Sequence, residues 1–139
     1  MLIISILLLS LNPSNSKPID HLYDLKWKNR VLVIIANEKE EIQDLVTLYN
    51  NELNERDFVV IRFDGEKAFV HDTKMSKRFS HSIIKKVRKV PQEVYFVLIG
   101  KDGRIKNVYP KDINMNEIFS DVDKMPMRLD EMKRNPDSY

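Results

Sequence analysis

The feature that most constrains this chain is the aliphatic run VLVIIA at residues 31–36, followed at once by a helical pattern. An unbroken run of branched aliphatics suits a strand covered on both faces, since a half-wet strand would alternate. Asn37, with Glu40 three residues on, has the spacing of a helix cap and its reciprocal partner. Ile42, Leu45, Val46, Tyr49 and Leu53 then recur at helical spacing. They predict one helix over residues 38–54, with Glu38, Glu40 and Glu41 at the positive end of its dipole. FVVIRF at residues 58–63 reads as a second strand, closed by the turn pair Asp64-Gly65. Strand, helix and strand joined by short connections form a parallel unit with a right-handed crossover.

The rest of the chain continues in the same style. Residues 66–71 read as a loop with at most a short extended piece. Met75, Phe79, Ile83 and Val87 mark a second helix over residues 72–89, stopped by Pro91 in its ordinary trans form. Residues 94–100 and 104–109 form two antiparallel strands around the turn Lys101-Asp102-Gly103. Asn114 and Glu117 repeat the cap spacing before a last helix carrying Ile118, Phe119, Val122 and Met125, which Pro126 ends. Residues 127–139 read as a polar tail with a short helical start. Before the first strand, Leu22, Tyr23, Leu25 and Trp27 form a lead-in, and Trp27 is expected to anchor it against the core. A parallel βαβ unit followed by an antiparallel ββα unit is the connectivity of a thioredoxin-like domain. The fold class is therefore α/β, a three-layer sandwich around a mixed sheet.

At the other end, residues 2–11 (LIISILLLSL) are apolar and uncharged. A membrane-spanning helix needs about 20 such residues, and this run has the length of a signal-peptide core. Small residues at Ser14 and Ser16 place cleavage after position 16. The expected organisation is a signal peptide over residues 1–16, a domain over 17–133 and a polar tail over 134–139, secreted or periplasmic, with no membrane anchor.

Which chemistry such a domain could carry is bounded by composition. There is no cysteine in 139 residues. Thiol redox catalysis needs a thiolate nucleophile, so it is excluded, and disulfide stapling with it. The formal net charge is +2, from 23 basic and 21 acidic residues, so nucleic acid binding over the whole surface is not expected. Charge is nonetheless uneven. Between Thr73 and Gln92 there are seven basic residues and no acid. Helical spacing sets Lys74, Lys77, Arg78, His81, Lys85, Arg88 and Lys89 opposite the apolar stripe, a row suited to phosphates, anionic glycans or headgroups. The alternative is a solvated helix face neutralised by residues 38–41 and by Asp121 and Asp123. His21, His71 and His81 lack metal-ligand spacing, and no metal or cofactor is expected. His71-Asp72 is the one pair that could serve a non-thiol enzyme, a hydrolase or isomerase, if a concave pocket held both with a second polar group. Met115, Met125, Met127 and Met132 could offer soft thioethers to copper, but packing of the last helix explains them better.

Several segments carry a resemblance. They are Trp27-Lys28-Asn29-Arg30-Val31-Leu32, Arg56-Asp57, Leu98-Ile99-Gly100-Lys101-Asp102-Gly103 with Ile105-Lys106, and Asp123-Lys124-Met125-Pro126-Met127-Arg128 with Glu131-Met132. The chain resembles a family of small secreted bacterial proteins of unknown function. That family looks related to the thioredoxin-like repeats of animal extracellular coiled-coil-domain and sushi-repeat proteins. The likeness spans residues 22–133 and is weakest over 66–82. It implies a secreted thioredoxin-like domain without an established activity, in which Trp27, Arg30, Gly100, Asp102, Gly103, Met125, Pro126, Met127, Arg128, Glu131 and Met132 are structural. Arg128 and Glu131 would dock the chain's exit. The function expected is non-catalytic binding of a protein partner or an anionic extracellular polymer; the other readings are a non-thiol enzyme and a structural or chaperone-like envelope module.

Overall fold

The computed structural model describes residues 18–135. The signal peptide expected at residues 1–16 and positions 136–139 of the expected tail lie outside the described residues. The strands are β1 (Arg30–Ile35), β2 (Phe58–Phe63), β3 (Ala68–Val70), β4 (Thr73–Lys74), β5 (Phe96–Ile99) and β6 (Ile105–Tyr109). The helices are α1 (Lys39–Leu48), α2 (Asn50–Glu55), α3 (Lys77–Val87), α4 (Met115–Asp123) and α5 (Pro126–Arg134), preceded by a 3-10 turn at Leu22–Leu25. The strands form one mixed sheet in the order β4-β3-β2-β1-β5-β6. β1 and β2 are parallel, while β5 runs antiparallel to β1 and pairs with β6 as a hairpin.

β1 is central and covered on both faces, as its unbroken aliphatic run requires. Leu32 and Ile34 pack with Ile42, Leu53, Ile118, Phe119 and Val122 from α1, α2 and α4. Val31 and Val33 pack on the other face with Leu22 and Leu25 of the 3-10 turn and Phe79 and Ile83 of α3. The alternation follows from the two-residue period of a strand. Each fully buried aliphatic contributes roughly 1.5–3 kcal/mol of transfer free energy.

Five local expectations are corrected. The helix expected over residues 38–54 is two helices, broken at Tyr49 (φ −106°, ψ 25°), whose ring packs edge-on against Phe119 at 5.7 Å. Asn37 is not the cap. Sheet pairing continues to Ala36, whose N–H donates to the Phe63 carbonyl, so Glu38 takes the cap position without a side-chain bond. The helix expected from residue 72 starts only at Lys77, capped by the Ser76 hydroxyl, which accepts from the Phe79 N–H. The residues before it form the β3–β4 edge hairpin, so Lys74 lies on a strand. Pro126 ends no helix but begins α5, where its missing N–H costs nothing. The tail expected from residue 127 is therefore helical to Arg134.

The fifth correction is Trp27, which is 61% exposed rather than packed. In a 3-10 turn side chains three apart eclipse, so Leu22 and Leu25 share the buried face and Tyr23 is left outside. Trp27 has φ 69°, and its N–H donates to the Lys101 carbonyl at 2.6 Å.

Candidate functional site

α3 presents two faces. Phe79, Ser80, Ser82 and Ile83 are buried, and the two serines work as internal ties. Ser80 Oγ accepts from the Ala68 N–H and Ser82 Oγ from the Leu22 N–H, each at 3.0 Å, which fixes the helix to β3 and to the 3-10 turn. The opposite face is exposed and carries Lys77, Arg78, His81 and Lys85, with Arg88 at the C-cap and Lys89 just beyond. Basic groups near the last turn also suit the negative end of the helix dipole. Lys74 stands on the neighbouring β4.

Three of the acids expected to neutralise this row, Glu41, Asp121 and Asp123, are engaged elsewhere. Glu41 pairs with Lys111 at 3.4 Å and accepts from the Tyr95 hydroxyl. Asp121 accepts from the Tyr109 hydroxyl at 2.6 Å, and Asp123 pairs with Arg56 and Arg128. Among the described residues the row has one ion pair, between Arg78 and Asp20 at 3.3 Å on the exposed surface. Such an exposed pair contributes about 0–1 kcal/mol, and it leaves the other cations of the row available to a ligand.

The segments that carry the resemblance meet at the start of β1. Arg30, 1% exposed at its side chain, donates through Nη1 and Nη2 to the two Glu131 oxygens at 3.0 and 3.1 Å. Lys101 Nζ bridges Glu131 and Asp57 at 2.8 Å each. Arg56 grips both Asp123 oxygens at 3.0 and 2.9 Å. Arg128, equally buried, donates from Nε to Asp123 at 3.0 Å and from Nη1 to the Glu55 carbonyl at 3.1 Å. Burial alone would push the Asp123 and Glu131 carboxyls up. Hydrogen bonds from Arg56 and Arg128, and from Arg30 and Lys101, outweigh it and hold both below the usual carboxylate range. The network pins α5 to the starts of β1 and β2 and to the β5–β6 turn.

The remaining motif residues serve that end of the molecule. A Cβ at Gly100 would lie 2.5 Å from Lys106 Cε, so the lysine side chain would have to move aside. Gly103 has φ +83°, and the Asp102 carboxylate accepts from the Arg104 N–H and from Lys106 Nζ, closing the turn. Met125 caps α5 and packs on the core, Met132 is half-buried, and Met127 is exposed.

His71 and Asp72 form the tight β3–β4 turn, with φ 49° and 64°. Both line a cleft of about 560 Å³ between α1, α2 and the sheet, together with Gln43, Val60, Arg62 and Phe69. The Gln43 amide donates to the Asp72 carboxylate. No hydrogen bond joins His71 to an acid among the described residues, so the cleft holds the two residues without assembling a proton relay.

Within the ion-pair network, Arg56, Asp57 and Lys101 carry a signal in the sequence only through the segments of resemblance.

The fold and these sites define a mixed α/β domain, with a six-stranded sheet, a basic outer helix and a charge-pinned C-terminal helix. Residues 21–131 match the family described as Domain of unknown function (DUF4174), and the chain belongs to that family. The comparison with curated proteins and the comparison with solved structures each give no match.

Proposed function

We propose that this chain is a secreted, non-catalytic thioredoxin-like domain that holds an anionic polymer, or an acidic protein partner, on the outward face of α3. The fold reading is supported by the parallel β1-helix-β2 unit, the β5–β6 hairpin beside β1 and the closing helix α4, with β3–β4 as an edge addition. Secretion rests on the apolar run and small-residue cleavage spacing of residues 2–16. The turn after β1, the usual place for thiol chemistry in such a fold, holds Asn37 and Glu38, and the chain has no cysteine.

The observation that carries the binding reading is the row itself: Lys77, Lys85, Arg88 and Lys89 are exposed on one side, and of their expected counter-charges Glu41, Asp121 and Asp123 are committed elsewhere. A concentrated unpaired row attracts polyanions, and the attraction falls with salt. The test is retention of the mature domain on heparin-like and anionic-lipid supports. Wild type elutes at a salt concentration well above that of the triple variant Lys85→Glu, Arg88→Glu, Lys89→Glu, whose circular dichroism is unchanged. Equal retention of the two proteins removes the reading.

A further inference from the structure

Between the 3-10 turn, the inner edge of α3 and the β5–β6 turn lies a cavity of about 380 Å³. Its floor is apolar, made by Leu22, Leu25, Val31 and Ile99, all buried. Its mouth is cationic, with Lys26 and Lys86 on the lining and no carboxylate there. Lys86 differs from the outward row. Its ammonium is half-buried and donates to the Gly103 carbonyl at 2.7 Å, with no acid in ion-pair range among the described residues. An ammonium has three donors and a full charge, so one carbonyl leaves most of its capacity unused. Partial burial makes a counter-ion there worth more than at the surface.

The geometry points to a binding site for a small monocarboxylate with an apolar tail, its carboxylate on Lys86 and Lys26 and its tail on the Leu22, Leu25 and Ile99 floor. The volume lies at the low end of the range for small-molecule sites, about 300–1,000 Å³, which suits a medium-length chain. The apolar floor selects against inorganic anions, and the lysines select against neutral analogues. This site borders the polymer surface, since Lys85 of the outward row is also on its lining, but its anchoring cation is the inward Lys86.

Trp27, the only tryptophan, is a built-in reporter, its ring 5.4 Å from the Lys26 ammonium. The full chain is titrated with octanoate, octanol and acetate, followed by tryptophan fluorescence and calorimetry. Octanoate binds at least ~10-fold more tightly than octanol, the discrimination a charge-assisted hydrogen bond supplies, and at least ~10-fold more tightly than acetate, through burial of its tail. Lys86→Met loses that advantage, whereas Lys86→Arg keeps it. Lys86→Met also removes the bond to Gly103, so the unaltered chain decides the matter by itself. Equal affinity for octanoate and octanol, or for octanoate and acetate, or no saturable octanoate binding, overturns the proposal.

Discussion

At the scale of single residues, the molecule is held at its closed end by charges that sequence alone does not pair. Arg30 reads as an ordinary flank of an aliphatic strand, yet its guanidinium is buried against Glu131, 101 positions away. Nothing local in either segment announces the partner; only their joint presence among the segments of resemblance hinted that Arg128 and Glu131 dock. Removing one member of a buried pair leaves the other without a counter-charge, at a cost of about 3–5 kcal/mol. Glu131→Ala, which leaves Arg30 without its counter-charge and Lys101 with Asp57 alone, is expected to lose about that much in urea denaturation, and a loss below about 1 kcal/mol would show that the network holds nothing. Gly103→Ala is a milder case. The added Cβ would meet only the Lys26 stem at 3.7 Å, so the cost is that of a left-handed φ of +83°. Roughly 1–2 kcal/mol is expected, and a neutral substitution would mean that the turn relaxes.

At the scale of elements, legibility followed periodicity. β1, β2 and the apolar stripes of α1, α3 and α4 were readable because burial imposes periods of two and 3.6. Boundaries set by tertiary contact were not. Tyr49 fits the helical stripe and still breaks the helix. Thr73 and Lys74 look like the first turn of α3, but the left-handed pair His71-Asp72 folds them back onto β3. Pro126 carried a usable signal that was read in one direction only: a proline stops a helix from behind and starts one from in front.

The docking of α5 also sets a pH dependence. Asp123 and Glu131 titrate below their ordinary values of 3.8 and 4.5, so in that acid range the unfolded chain binds more protons than the folded one. Their contribution is complete above the ordinary carboxylate values and is lost as pH falls through the depressed folded ones. Denaturant midpoints should hold steady between pH 7 and 5 and drop below about pH 4. Asp123→Asn should flatten that drop, and an identical acid limb in this variant would assign the titration to other groups.

At the scale of the whole molecule, an ion-pair network and an outer helix divide the labour. The end at the starts of β1 and β2 is saturated with ion pairs and keeps the C-terminal helix in place. The outer helix α3 is bound through its serines and apolar stripe, and its opposite face is left to solvent and to cations. The basic row was legible because a helix turns closely spaced cations to one side, although Lys74 stands on β4 and Lys86 faces inward. Whether neighbours neutralise them depends on where distant acids fold, and Glu41, Asp121 and Asp123 are committed to Lys111, Tyr109, Arg56 and Arg128. Net charge cannot distinguish an organised binding row from general attraction, but position can. The most direct measurement compares the salt dependence of heparin affinity for two triple reversals carrying the same change of net charge. One is Lys85→Glu, Arg88→Glu, Lys89→Glu on α3; the other is Lys39→Glu, Lys124→Glu, Lys133→Glu at exposed sites on or next to other helices. A binding row predicts that the first variant loses affinity and its salt slope while the second stays close to wild type; equal losses in both would contradict it.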